Sequence, residues 1–439
     1  MFSRTRFALV FAGIPCVAMS LLCGGTPGIA ADATDWSRFR GPNGSAVSEA
    51  RGLPVTWDSD HGVVWKTPLP GPGSSSPIVV GDRVFLTCYS GYGTHRDQPG
   101  EIKDLERHLL CVSLKDGTVI WDQAVAATQR EDDYSGFIRD HGYATSTPAS
   151  DGERVFVFYG KTGVLAYDLT GKELWRTSVG NGSAQNNWGS GSSPILYRNL
   201  VIVNAAAESR SLIALDQTTG TQVWKTEAAS LHGSWSTPVL VDAPEGKTEL
   251  ALNAPYEVWG FNPDNGDFLW FAEGLQDRTI CGSVVARDGI VYAVGGRSGS
   301  AVAVRSGGRD EVTKTHTLWK KSLSSYVPSP VLAGDRILSV NERGILGCLA
   351  AKDGESLFQQ RLSGAGGVYA SPVVADGKAY VVTRQNGTFV ISMTGEGEVL
   401  STNKLDDESD FNASPAIADG KLLLRSNRFL YCVSDVKKP

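Results

Sequence analysis

The sequence predicts an all-β protein, an eight-bladed β-propeller built from four-stranded antiparallel blades. The first observation behind this prediction is a small residue, followed by proline or valine and then by an apolar strand, which recurs along the chain. After a first interval of 71 residues the spacing is 42 to 46 residues, close to the ~40–50 residues of a propeller blade. The eight anchors are Ser76-Pro77, Thr147-Pro148, Ser193-Pro194, Thr237-Pro238, Ser283-Val284, Ser329-Pro330, Ser371-Pro372 and Ser414-Pro415.

The second observation is that each repeat contains the turns of a four-stranded meander. Asp-Gly pairs follow the first strand in several repeats, as at Asp151-Gly152 and Asp376-Gly377. Such pairs favour two-residue hairpins because both central residues accept positive φ. A second glycine-bearing turn, such as Thr170-Gly171, precedes the fourth strand. That strand ends in an aromatic residue at Trp121, Trp175, Trp224, Trp270, Trp319 and Phe358.

The third observation is that the two ends of the repeat region complement each other. The last repeat stops after its third strand, at Tyr431-Cys432-Val433, and an unpaired fourth strand, Val63-Val64-Trp65-Lys66, precedes the first anchor. We therefore predict that the strand around Trp65 completes the eighth blade and closes the ring, which removes an exposed sheet edge.

These repeats resemble the tryptophan-docking repeat of the pyrroloquinoline-quinone (PQQ) propeller superfamily, over roughly residues 63–434. The motifs are Ala166-x-Asp168-x-Thr170-Gly171-x-x-x-Trp175 and Ala214-x-Asp216-x-x-Thr219-Gly220-x-x-x-Trp224. The superfamily contains quinoprotein alcohol dehydrogenases and the BamB-type lipoprotein of the outer-membrane β-barrel assembly machinery. The resemblance implies that each tryptophan docks against the next blade, a role that falls on Trp65, Trp121, Trp175, Trp224, Trp270 and Trp319.

The amino-terminal region indicates an exported protein. Arg4 and Arg6 precede an apolar stretch and then small residues, which is the layout of a signal peptide over residues 1–31. We expect a leader segment over 32–62, the propeller over 63–434 and a tail over 435–439. The motif Trp36-x-x-Phe39-Arg40-Gly41-Pro42-x-Gly44 is similar to leaders of exported PQQ-like propellers from planctomycete-type bacteria. No later segment is apolar enough to span a membrane, so a periplasmic or secreted location is expected.

Charge and cysteine content exclude some classes of function. The net charge of −6 argues against a nucleic-acid partner. The five cysteines after the signal peptide are an odd number, which is weak support for a disulfide framework. A pairing of Cys88 with Cys111 on neighbouring strands is left open. Acidic runs at Glu131-Asp132-Asp133 and Asp406-Asp407-Glu408 lack the spaced ligands of a calcium loop, and no metal site is predicted.

The candidate site is the mouth of the central channel. Two long insertions, over 89–108 and 123–144, belong to the face formed by the links between the second and third strands and between successive blades. Residues just before the anchors should surround the mouth on that face, and aromatic and polar groups that converge there suit a ligand. The predicted binding residues are His141, Tyr143, Trp188, His232, Trp235, Arg278 and Tyr369. The alternative is that the aromatic residues only fill the channel.

Three functions are compatible with these features. The preferred one is a non-catalytic exported propeller that binds a protein, peptide or cell-envelope ligand at the mouth, with no cofactor and no catalytic residue. The first alternative is a PQQ-dependent dehydrogenase with bound Ca²⁺. However, the chain after the signal peptide lacks the adjacent cysteine pair and the Cys-x-x-Cys-His haem motif of many family enzymes. The second alternative is an outer-membrane assembly factor of the BamB type. The sequence leaves the oligomeric state open.

Overall fold

The computed structural model describes residues 36–435. The predicted signal peptide (1–31) and the tail after residue 435 lie outside these residues. No helix in the described range is long and apolar enough to cross a membrane.

Eight sheets surround a central channel, which confirms the predicted eight-bladed propeller. Within blades 1 to 7 the four strands pair antiparallel in chain order from the channel outwards, and in blade 8 the outer strand comes from the amino-terminal side of the propeller. Blades 1 to 4 comprise Ile78–Val80, Arg83–Ser90, Glu106–Ser113, Val119–Ala126; Ala149–Ser150, Arg154–Phe158, Val164–Asp168, Glu173–Thr177; Ile195–Tyr197, Leu200–Ala205, Ser211–Asp216, Gln222–Glu227; and Val239–Ala243, Lys247–Ala254, Glu257–Phe261, Phe268–Glu273. Blades 5 to 8 comprise Val285–Arg287, Ile290–Gly295, Ser300–Arg305, Thr317–Ser322; Val331–Ala333, Arg336–Val340, Ile345–Ala350, Ser356–Arg361; Val373–Ala375, Lys378–Val382, Thr388–Ser392, Val399–Asn403; and Ala416–Ala418, Lys421–Arg425, Phe429–Val433, Val63–Pro68.

Helical segments are short and lie in the links between strands. The α-helical ones are Ile138–His141, Ala206–Ser209 and Thr313–His316. The 3-10 turns are Pro42–Gly44, Ile102–Asp104, Gly160–Thr162, Gln185–Asn187, Ala229–Gly233 and Pro244–Gly246.

The ring closes as the two chain ends predict. The strand Val63–Pro68 pairs antiparallel with Phe429–Val433 in register Val63 to Val433 and Thr67 to Leu430. Blade 8 is in turn joined to blade 1, because Trp65 Nε1 donates a hydrogen bond to the Leu114 carbonyl at 3.0 Å. Blade 8 is therefore composed of strands from both ends of the propeller.

The tryptophans of the fourth strands connect each blade to the next. Trp224 is representative: it is buried, and its Nε1 donates to the Pro263 carbonyl of blade 4 at 3.0 Å. The corresponding bonds join Trp121 to Leu169, Trp175 to Gln217 and Trp319 to Ala351. In each case the turn of the following blade lies against the indole ring, as the family resemblance implies.

Trp270 departs from this pattern. It is fully buried, but its Nε1 donates to Glu249 Oε2 at 2.7 Å inside its own blade, and its ring covers Gly260. The long link of blade 5 explains the difference. Its short strand Asp310–Glu311 pairs in parallel with the outer strand of blade 4, where the turn of the next blade would otherwise dock.

The first half of the described leader, residues 36–48, lies against the inner strands of the propeller. Trp36 and Ser37 accept backbone hydrogen bonds from Val79 and Ser150, which belong to the inner strands of blades 1 and 2. Further along, Val47–Ser48 pairs in parallel with the inner strand of blade 7. These contacts fall three or four residues beyond the anchors. The leader therefore closes the end of the channel opposite the predicted mouth.

The cysteines form no disulfide among the described residues. Cys88 lies opposite His108 and Cys111 lies opposite Phe85, so the two thiols are offset along adjacent strands. Burial raises the pKa of the Cys88 thiol to about 11 and that of Cys111 to about 12, which keeps both protonated and unreactive.

Candidate functional site

A cavity of about 120 Å³ lies on the propeller axis at the predicted mouth. Four of the predicted residues line it: His141, Trp188, Trp235 and Tyr369. Trp188 and Trp235 come from the links that enter blades 3 and 4, and their ring centroids are 5.4 Å apart. The propeller brings these residues together because each blade contributes the same link to one face.

The other three predicted residues lie outside this cavity. Tyr143 packs edge-on against Tyr89 at 5.5 Å and donates its hydroxyl to the Asp132 carbonyl. His232 lies 3.0 Å from the Ser183 carbonyl through Nε2. Arg278 is exposed and lies against the Gln185 amide. Tyr143 belongs to the core of the insertions, whereas His232 and Arg278 contribute to the rim.

Phe137 is the central residue that sequence reasoning missed. It lies just before the helix Ile138–His141 of the second insertion, and it extends over the mouth. Its ring centroid is 5.1 Å from Trp188 and 5.9 Å from Tyr369. The feature of the sequence that could have identified Phe137 was its position in the long second insertion. That insertion lies outside the repeat, so no regular spacing distinguishes the residue. The insertion therefore caps the mouth with an aromatic ring.

Partly buried polar contacts hold the insertion on the propeller. Arg384 of blade 7 pairs with Asp140 at 3.4 Å and with Asp410 at 2.7 Å, and it stacks on Tyr369. His141 Nε2 lies 2.8 Å from the Trp188 carbonyl, which can only accept, so this nitrogen carries the proton. Burial lowers the pKa of His141, and the ring is therefore neutral at pH 7.

Beneath the aromatic residues, the eight anchor hydroxyls form a closed ring of hydrogen bonds. The backbone N–H of each anchor donates to the hydroxyl of the next anchor at 2.9–3.1 Å, and Ser414 donates to Ser76 to complete the circle. This explains the repeated serine or threonine in the sequence: a short side chain with an acceptor oxygen joins adjacent blades at the axis. We call these eight residues the hydroxyl ring.

The leader forms the floor of the cavity. Phe39 lines it from below. The cavity is therefore closed at one end by the leader and capped at the other by Phe137. Seven of the eight residues in the hydroxyl ring line its wall: Ser76, Ser193, Thr237, Ser283, Ser329, Ser371 and Ser414.

A buried charged cluster lies under the insertions beside the mouth. Arg107 pairs with Glu131 and Lys161 pairs with Asp132, each at 2.9 Å and each largely buried. The acidic run over 131–133 is thus engaged with basic side chains. Among residues 36–435, no group of three or more His, Cys, Asp or Glu is arranged to hold a metal ion.

Glu208 is the buried carboxyl group of this region without a basic partner. It lies in the helix Ala206–Ser209, 4% exposed, and accepts a hydrogen bond from Ser190. Burial raises its pKa to about 7 from an ordinary value of 4.5. Because the folded state binds the proton more tightly than the unfolded state, the free energy of unfolding falls as the pH rises from 4.5 to about 7.

We expect Glu208→Gln to remove that pH dependence. As the pH rises from 4.5 to 7, the free energy of unfolding of the variant should increase relative to that of the parent chain by on the order of 3 kcal/mol. The difference should stay constant above pH 7. Urea unfolding monitored by tryptophan fluorescence at several pH values measures it. Glu355→Gln, at an exposed position, is the control and should follow the parent; equal pH profiles of all three proteins would contradict the assignment.

The fold and the site define a PQQ-repeat β-propeller with a capped channel. The chain belongs to the family described as outer membrane protein assembly factor BamB, which matches residues 105–360 and 307–435.

Two curated relatives carry that same name. The protein of Burkholderia pseudomallei is 26% identical over 247 residues, which cover 54% of this chain and 60% of the relative. The protein of Alkalilimnicola ehrlichii is 29% identical over 203 residues, or 45% and 42% of the two chains. The chain thus spans about half the length of the curated relatives it matches.

Solved structures with similar folds include an assembly factor and an enzyme. BamB from Moraxella catarrhalis superposes with a TM-score of 0.59 at 14% identity, covering 86% of this chain and 98% of that one. A europium-containing methanol dehydrogenase superposes with a TM-score of 0.65 at 12% identity, covering 90% and 89%. At these identities the similarity concerns the fold.

Proposed function

We propose that the protein is an exported, non-catalytic binding module that takes a protein, peptide or cell-envelope ligand at the mouth of the channel. The observation that carries this proposal is the group of half-buried aromatic rings at one end of the axis: Phe137, Trp188, Trp235 and Tyr369. Clustered aromatic side chains around a cavity are typical of binding sites. Their support by a rigid ring of blades lowers the entropy cost of binding.

A cross-linking experiment tests this use of the mouth. A photoreactive phenylalanine analogue at position 137 should form an adduct with an envelope component in the cells that export the protein. The same analogue at Lys115, an exposed turn on the opposite face, should form none. Adducts from both positions, or from neither, would argue against a ligand at the mouth.

Trp188→Ala should weaken that binding. A central aromatic residue of an interface contributes about 2 kcal/mol, or more than tenfold in affinity. The measurement is the yield of the adduct from position 137 with and without Trp188→Ala, after circular dichroism has shown that both proteins fold. A yield that does not change would remove Trp188 from the binding surface.

The residues at the mouth do not fit the PQQ cofactor. A stacked quinone needs a flat slot, and here the Phe137 ring covers the mouth at 5.1 Å from Trp188. The described residues also provide no carboxylate cluster for Ca²⁺. We therefore propose no redox activity. A titration with PQQ and Ca²⁺ tests this point: saturable quenching of tryptophan fluorescence together with dye-linked alcohol oxidation would overturn it.

A second candidate function is a role in the assembly of outer-membrane proteins. Family membership favours it, because the curated relatives are named as assembly factors. In this case the ligand at the mouth would be a component of that machinery or one of its substrates. Identification of the adduct from position 137 by mass spectrometry distinguishes this function from binding of an envelope polymer.

A further inference from the structure

The hydroxyl ring presents donors that nothing in the described chain accepts. A hydroxyl group has one donor hydrogen and two acceptor lone pairs, and each hydroxyl of the ring accepts one backbone N–H, as at Ser329 and Ser371. No acceptor among residues 36–435 takes a hydrogen bond from any of the eight. All eight residues are at most 5% exposed. Buried donors in proteins are satisfied by protein, water or a ligand. The partners of the seven hydroxyls that line the axial cavity therefore lie in that cavity.

The leader contains two buried cations, Arg38 and Arg40. Arg40 is 1% exposed and Arg38 is 8% exposed. Neither guanidinium pairs with a carboxylate in the described part of the chain, and Nε and Nη1 of Arg40 have no hydrogen-bond partner there. Burial and the nearby charge of Arg38 lower the pKa of Arg40 to about 9, so it remains cationic at neutral pH. An unpaired buried charge is strongly unfavourable.

The ring and Arg40 are adjacent along the axis. Arg40 donates from Nη2 to the carbonyl of Pro330, the residue that follows Ser329 in the hydroxyl ring. Phe39, the preceding residue, lines the same cavity as the ring. Hydroxyl donors without acceptors and the guanidinium of Arg40, which has no counterion, therefore lie close together at the leader end of the cavity.

We propose that the hydroxyl ring and Arg40 form a binding site for one oxyanion group, a carboxylate or a phosphate. Such a group accepts several hydrogen bonds at once and supplies the missing negative charge. This inference rests on the proposed function, since it names the acidic group that a ligand at the mouth would present. It also gives the leader a second purpose besides closing the channel.

Inorganic phosphate is the first probe. At constant ionic strength, the purified protein should bind one phosphate per chain in equilibrium dialysis, and its thermal midpoint should rise with phosphate concentration. Arg40→Met should weaken binding roughly tenfold or more, because hydrogen bonds to charged groups are the strong ones, and should flatten the response of the midpoint. Without phosphate the variant should be at least as stable as the parent, since it removes an uncompensated buried charge.

Arg305→Met is the matched control, because Arg305 is exposed at the end of a strand in blade 5. It removes the same charge and should leave phosphate binding unchanged. The absence of saturable phosphate binding in the folded parent chain would mean that the ring holds only water, and it would overturn the proposal. Equal binding by the parent and Arg40→Met would overturn it as well. If Arg40→Met fails to fold, the parent titration alone decides.

Two carboxylates distinguish a free ion from the acidic end of a longer ligand. Tighter binding of 3-phenylpropionate than of acetate, with the gain lost in Trp188→Ala, would indicate a ligand that enters through the mouth. Equal binding of both, with phosphate also bound, would support the oxyanion site but contradict the proposed function of the mouth. A third outcome is that the protein binds 3-phenylpropionate but not phosphate, and that Arg40→Met leaves this binding unchanged. It would support ligand binding at the mouth and refute the oxyanion site.

Discussion

Replacing Trp224 with alanine is expected to lower the free energy of unfolding by about 3–5 kcal/mol, the usual cost of deleting a buried large aromatic side chain. Trp224 is 7% exposed, donates to the Pro263 carbonyl, and lies against Gly266 in the turn of the next blade. The change removes both the packing and the hydrogen bond between blades 3 and 4. Urea unfolding monitored by circular dichroism measures the loss.

Two further variants define the cause. Val223→Ala, at the 51% exposed neighbouring position, should change stability by no more than about 0.5 kcal/mol. Gly266→Ala should be strongly destabilising, because its Cβ would lie 2.5 Å from the Trp224 ring at a φ of +77°. A Trp224→Ala protein as stable as Val223→Ala would refute the docking role.

Trp36→Ala is expected to have an effect of similar size, again about 3–5 kcal/mol, and to release the leader from the channel. Trp36 is 1% exposed, and its carbonyl accepts from the Val79 backbone at 3.0 Å. Its ring covers Gly41, whose φ is +66° and whose Cβ would lie 2.6 Å from the ring. Unfolding in urea gives the stability, and limited proteolysis followed by mass spectrometry reports cleavage between residues 40 and 57.

The control for this prediction is Glu49→Ala, at an exposed position of the same segment. It should leave both stability and protease resistance unchanged. Gly41→Ala should reproduce the effect of Trp36→Ala, because the two residues occupy one space. If Trp36→Ala unfolded like the parent and its leader resisted protease, the leader would not depend on this contact.

The repeat made most of the fold predictable, because a blade is a local unit whose turns and strands are encoded within about 45 residues. The identity of the closing strand also followed from counting, since one blade lacked its fourth strand and the strand around Trp65 had no partner; its register came from the structure. Trp270 could not be assigned this way. Its docking place is taken by Asp310–Glu311, and a parallel pairing with a distant link has no sequence period.

The mouth was predictable only in part. His141, Trp188, Trp235 and Tyr369 were found because each precedes an anchor and the anchors share one face. The same rule misplaced Tyr143, because the fold of the second insertion directs its side chain into a cluster with Tyr89 and Tyr92. Phe137 was missed for the opposite reason: an insertion outside the repeat carries it back over the axis.

The sequence by itself determined the number of blades, the closure of the ring, and the family resemblance that assigns the tryptophans, because all three depend on residues that repeat at a constant interval. The tertiary structure alone decided what occupies the axis. The leader, the second insertion and the anchor hydroxyls are far apart in the chain, and they meet only because eight blades bring their inner strands around one line. Contacts of that kind depend on the whole ring, and no local pattern encodes them.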